Sequence, residues 1–255
     1  MTEKRLLLKS IGLRYIVPLA IASLTIFSLP IQAQVIQPKL PDNGAPIGRR
    51  RGGTSRNDCP AVNIPVTALV PGKEASGDSQ DSASFLASTI SEHPTFWVYT
   101  PELPNNARSG EFILQNEVGE DIYQKSLTLP QTASFIAISL PSSPKYSLQI
   151  GKKYHWYFKI YCGKPEPETG YFYVDAWIER IALTNDLDLK LKMQKSLKYI
   201  TYFEQNIWYN ALTNLGEQIR SNSQNNNFKT DWVNFLKSID LQDISQEPVV
   251  IIDKL

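Results

Sequence analysis

Between Lys152 and Ile181 the chain reads "KKYHWYFKIYC", then a short loop rich in Gly and Pro, then "YFYVDAWIERI". In an extended strand successive side chains point to opposite faces. Alternation through the first run puts Tyr154, Trp156, Phe158, Ile160 and Cys162 on one side, and through the second it puts Phe172, Val174, Ala176 and Ile178 together. Both sets suit a core, so the two runs are predicted to be neighbouring strands of a sheet buried on that side. The opposite faces gather Tyr157, Tyr161, Tyr171, Tyr173 and Trp177, with His155, Lys159, Asp175 and Glu179 among them. That second face is too aromatic for ordinary solvent contact.

The same two-residue period runs from Val62 to Ile181. Phe96 and Val98 alternate with Trp97 and Tyr99; Phe112 and Leu114 lead through the turn Val118–Asp121 to Tyr123, Leu127 and Leu129; Ile136, Ile138 and Leu140 form a further strand, and Leu148 with Ile150 a short one. Many short strands separated by turn signals predict an antiparallel β-sandwich of about eight strands over residues 59–183. It is immunoglobulin-like in outline only. Cys59 precedes the first strand, and Ile160 stands two residues before Cys162 where that fold has Tyr. "GKEASGDSQDSA", Gly72 to Ala83, reads as a flexible loop.

Beyond Thr184 the spacing becomes helical. Thr184 or Asn185 caps a segment with Leu187 and Leu191; Trp208, Leu212, Leu215 and Ile219 share one stripe, and Phe228, Trp232, Phe235, Leu236 and Ile239 another. A mainly β fold with about three capping helices over 184–255 follows. The last apolar residues, Val249 to Ile252, either extend a sheet edge or pack down.

At the other end, Lys4, Arg5, Lys9 and Arg14 precede the apolar stretch Tyr15 to Leu29, and Ala33 closes the segment. Charge, then apolar run, then small residue is the order of a secretory signal, so residues 1–33 are expected to be removed and the rest exported, to the periplasm or beyond. An uncleaved anchor is the alternative, with a stretch short of the roughly 20 residues that span a bilayer. Removing Lys4, Arg5, Lys9, Arg14 and Glu3 from 26 basic and 25 acidic residues leaves 22 against 24. So balanced a chain has no field for nucleic acid, and its membrane contact is confined to the signal segment before cleavage. Residues 34–58 read as a flexible, basic lead-in. Arg49, Arg50, Arg51 and Arg56 could hold an acidic partner there, or belong to a solvated linker.

The only cysteines, Cys59 and Cys162, read as one structural disulfide in an oxidising compartment, against two buried thiols or a redox pair. His93 and His155 lack the close ligand partners of a zinc site. Asp186 and Asp188 lack the glycine and distal Glu of a calcium loop, and no phosphate loop or nucleophile elbow is present. No cofactor or metal is expected, and the chain is read as not an enzyme.

"GAPIGRRRGG", "PTFWVY", "GKKYHWYFKIYC", "WIERIAL" and "IWYNALTNL" follow one another in the order of a family that they resemble, a cyanobacterial exported domain-of-unknown-function family (DUF 928). The resemblance spans Gly44 to Pro248 and implies a secreted or periplasmic bacterial setting with a single architecture. It carries no reaction, ligand or catalytic residue to transfer. Asn206 to Asn222 also looks like half of a tetratricopeptide-type helix pair, although one unit cannot build a groove.

Three readings compete for the face of Tyr157, Tyr161, Tyr171, Tyr173 and Trp177. The C-terminal helices dock on it; or its rings stack on a glycan or other ligand; or His155 works with Asp175 or Glu179 in catalysis. The expected function is a noncatalytic interaction or scaffold module that holds another envelope or secreted protein. The alternative is a carbohydrate-binding module, with polysaccharide as its partner.

Overall fold

The computed structural model describes residues 46–54, 59–73, 83–194 and 197–250. The signal segment, most of the Gly72–Ala83 loop and Arg56 lie outside the described residues. Ten strands and four α-helices are present among those described: β1 (Arg49–Thr54), β2 (Thr67–Ala68), β3 (Leu86–Thr89), β4 (Thr95–Thr100), β5 (Ser109–Gln115), β6 (Asp121–Thr128), β7 (Ser134–Ser139), β8 (Lys153–Tyr161), β9 (Tyr171–Arg180), α1 (Asn185–Met193), α2 (Lys198–Glu204), α3 (Trp208–Ser221), α4 (Asn226–Lys237) and β10 (Val249–Val250).

The fold is a mainly antiparallel half-barrel sheet with the helices C-terminal to nearly all of it. Pairing follows the single path β10-β7-β4-β2-β1-β9-β8-β5-β6, with β3 alongside β9. Two separate sheets were expected; β1 joins them, meeting β2 at Arg51↔Thr67 and β9 at Gly53↔Tyr173. The curve brings its two halves face to face. Phe96 of β4 lies 4.8 Å, centroid to centroid, from Phe112 of β5 and 5.5 Å from Trp156 of β8.

The lead-in expectation therefore fails over Arg49–Thr54, and the glycines explain why. Beside arginines they read as mobility, but a Cβ at Gly52 would collide with the Val66 side chain. Glycine here permits close backbone approach, and the Gly52 N–H donates to the Val66 carbonyl at 2.7 Å. The β5–β6 hairpin is as predicted, turning through Gly119 at φ 84°. Leu148, expected in a strand, instead sits in a turn-rich connection; it is fully buried, and its N–H donates to the Glu92 carbonyl.

The alternation in β8 holds residue by residue, with even positions buried and odd positions half-buried. β4 departs from it. Phe96 and Val98 face the barrel interior, yet Trp97 and Tyr99 are just as buried. The helices lie behind them. Trp232 of α4 meets Trp97 at 5.4 Å and Phe135 of β7 at 5.2 Å, and the Trp97 indole N–H donates to the Thr213 hydroxyl of α3.

Three helical stripes were read, and α2 is the addition. "KYITYFE" is dominated by aromatic and β-branched residues of modest helix propensity, so packing holds it: Tyr199 and Phe203 are buried, and Tyr199 donates to Asp231 of α4. Thr184 caps α1 by accepting from the Leu187 N–H. The tetratricopeptide-like stretch falls on α3, which packs against α2, α4, β3 and β4. β10 places Val249 and Val250 at a sheet edge, pairing in parallel with β7, while Ile251 and Ile252 lie outside the described residues.

Candidate functional site

β8 and β9 place their odd-numbered side chains opposite one another: His155↔Trp177, Tyr157↔Asp175, Lys159↔Tyr173 and Tyr161↔Tyr171. Tyr157, Tyr161, Tyr171, Tyr173 and Trp177 thus share one half-buried outer face, as parity predicted. The helices do not dock there. Their seat is β3 and the backs of β4 and β7, and in β4 the continuous apolar run "FWVY" marks a strand covered on both sides. A strand with half-buried odd positions has no such cover, which overturns the docking reading of the aromatic face.

What fills the face is a mesh of its own polar groups. His155 Nε2 lies 2.8 Å from Asp175 Oδ2, and His155 Nδ1 lies 2.8 Å from the Tyr157 hydroxyl. With the Nε2–H donating to the carboxylate, Nδ1 accepts from Tyr157. Trp177 stacks on the imidazole at 4.3 Å and 11°, and its N–H donates to the Ile47 carbonyl. Farther along, Glu111 of β5 accepts from Tyr161, from Gln124 and from Lys159. Glu111 escaped the sequence reading, because its place opposite Lys159 depends on β5 being the strand that lies beside β8.

These contacts set the protonation behaviour. Burial pushes the Tyr161 phenol up to about 12, and the hydrogen bond to anionic Glu111 adds to that. Burial also raises the Tyr157 phenol, with the Asp175 charge next. Burial alone would raise Glu111, but its bonds from Gln124 and Tyr161 and the Lys159 charge outweigh it and hold the carboxyl below its ordinary value. On the far side of the sheet Tyr99 is likewise pushed up to about 12 by burial, then by Glu247 and Asp243. A phenol with a raised folded value contributes stability that is complete below the unfolded value of 10.0 and lost as pH rises toward 12. Urea midpoints should therefore fall steadily from pH 10 to 12, and less steeply in a Tyr99→Phe, Tyr161→Phe double variant. A midpoint flat across that window would contradict this.

His155 and Asp175 share a side, so the geometric precondition for the catalytic reading exists, yet both imidazole nitrogens are engaged. The terminal group of the chain, Tyr157, holds its proton more tightly than a free phenol, which suits a fixed donor better than a nucleophile. Glu179 sits on the same side of β9, across from Lys153.

Arg49, Arg50 and Arg51 serve the fold. Arg49 lies over the Tyr173 ring at 4.8 Å, and Arg50 is buried with Nη1 donating to the Ile239 carbonyl at 2.7 Å. Arg51 does meet an acidic group, but it is Asp243 of the same chain, in a bidentate pair at 2.8 Å. That pairing lowers the Asp243 carboxyl despite its partial burial. Arg51 thereby ties β1 to the short 3₁₀ turn Gln242–Ile244. Cys59 and Cys162 are joined, with Cα atoms 5.1 Å apart.

The family described as Domain of Unknown Function (DUF928) matches residues 51–249. The chain belongs to that family. The DUF928 match takes in β8, β9 and the helices, and starts inside the arginine strand. No curated protein matches the chain. Among solved structures, a multi-domain immunophilin from Arabidopsis thaliana is similar at 9% identity over 69% of this DUF928 chain and 96% of its own, with a TM-score of 0.16, too low to bear on fold or function.

Proposed function

We propose that the chain is a noncatalytic module, exported to the cell envelope, that binds another envelope or secreted protein through the outer face of β8 and β9. One observation carries this reading: the face holds five aromatic side chains, the helices pack on other strands, and hydrogen bonds already hold Tyr157, Tyr161 and Trp177 in place. Tyr, Trp and Arg dominate interface hot spots, and rings held before association lose little conformational freedom on binding. Glycan stacking on this face is the weaker reading, because His155 occupies one side of Trp177 and Arg49 lies over Tyr173. Export draws support from the basic and apolar order of residues 1–33 and from the disulfide, which persists in oxidising compartments.

The test uses immobilised full-length chain against envelope and secreted fractions. A protein retained by the parent and bound at least about 30-fold more weakly by Tyr173→Ala or Trp177→Ala, but not by the helix variant Lys229→Ala, supports the proposal. A protein bound equally by all variants, or a polysaccharide lost in the same pattern, overturns it.

A further inference from the structure

A second polar row runs along α3, partly buried from Asn210 to Asn214 and exposed at Glu217. While Trp208, Leu212 and Leu215 point inward, Asn210, Thr213, Asn214 and Glu217 recur at the spacing of one further helix face. Against them, Thr89, Ser91, His93 and Thr95 stand at alternate positions along the segment from β3 into β4. Between the rows is a cavity of about 190 Å³, flanked by the rings of Tyr202 and Tyr209.

The hydrogen bonds within the lining sort its groups. Asn210 Oδ1 accepts from the Thr89 hydroxyl at 2.8 Å and from the Ile90 N–H at 3.0 Å; Asn214 Oδ1 accepts from the Tyr199 N–H at 3.0 Å; and Thr213 Oγ1 accepts from Trp97. Each acceptor end is tied to the fold. Among the groups the lining offers a guest are therefore the two amide NH₂ groups and the Thr213 hydroxyl proton, with the exposed Glu217 carboxylate as an acceptor.

A guest for such a site must both accept from amides and donate to a carboxylate. No Lys or Arg is among the described lining residues, so an anion would meet Glu217 uncompensated, and one carboxylate is too few for a bare metal ion. Neutral hydroxyl groups satisfy both demands, and the half-buried Tyr202 ring supplies the apolar surface that the C–H side of a sugar requires. A cavity of about 150 Å³ takes up a benzene ring, so one of about 190 Å³ has room for a single six-membered ring. We propose that the cavity between α3 and the β3–β4 segment binds a single sugar residue, either a free monosaccharide or the terminal unit of a glycan.

Saturation-transfer NMR and calorimetry on the full chain would use D-glucose, D-galactose and N-acetyl-D-glucosamine in one arm, and maltohexaose and chitohexaose in the other, separating the two sources. Asn210→Asp and Asn214→Asp keep the oxygen that the fold uses and remove the donors, and thermal melts confirm that they fold. Binding of at least one sugar at millimolar strength is expected, with about five- to tenfold weakening in each variant and none in Tyr173→Ala. No transfer to any of the five sugars, binding indifferent to both Asp variants, or binding lost in Tyr173→Ala would overturn the assignment.

Discussion

Reduction of the Cys59–Cys162 bond is expected to lower the unfolding free energy by about 4 to 5 kcal/mol, the value of the chain-entropy relation for a closed loop near the 103-residue separation seen here. Cys162 is buried at the end of β8, and Cys59 follows β1, so the bond ties the arginine strand's side of the sheet to its aromatic centre. The effect lies in the unfolded ensemble, which the bond holds compact. Breaking it should lower the urea midpoint and raise the denaturant slope together, since the freed chain exposes more surface. In a chain this size the melting temperature should drop by roughly 10 to 20 °C. A Cys59→Ser, Cys162→Ser double variant should behave like the reduced protein, and a variant that melts with the parent would refute the assignment of a stabilising bond.

Trp156→Ala should cost about as much, by a different route. Trp156 is fully buried between Phe96 and Phe112, and its indole N–H donates at 2.8 Å to the Tyr209 hydroxyl, which donates in turn to the Trp177 carbonyl. Removing a ring of this size from a core costs about 3 to 5 kcal/mol, and the cavity would open where the two halves of the barrel meet. Trp156→Phe keeps most of the volume and loses the N–H, so about 1 to 2 kcal/mol is expected there. Set against a typical total of about 5 to 15 kcal/mol, the alanine variant is left marginal. Urea unfolding followed by the remaining tryptophans decides the matter: a cost below about 1 kcal/mol would mean that this ring does not join the two halves.

How much of this could be read beforehand differs from one element to the next. β8 and β9 were legible because each keeps one face in the core and one outside, so a two-residue period survives in the sequence. In β4 the same rule led only halfway: "FWVY" is apolar throughout, the mark of a strand buried on both sides, and that mark points to where the helices sit. β1 was illegible by local signals, since Arg, Gly and Thr are as common in loops. Its strand character comes from Gly52 passing close to Val66 and from Arg51 reaching Asp243, 192 residues away. At the candidate site, parity identified the five aromatic residues, His155 and Asp175. It could not supply Glu111 or Arg49, whose roles depend on which strands lie next to β8 and β9. The polar row of α3 was hidden by the apolar stripe beside it, because a polar helix face ordinarily means water.

Sequence alone determined the alternation of β8 and β9, the helical C-terminal region and the motifs that place the chain in its family, since each of these is written in neighbours a few residues apart. Tertiary structure decided which face the helices cover, that β1 closes two groups of strands into one sheet, and that Arg49, Arg50 and Arg51 find partners within the chain. Those outcomes rest on partners that are not neighbours in the chain, some of them more than a hundred residues distant, and a side chain's local pattern shows only that it needs burial or a counter-charge, not which surface supplies it.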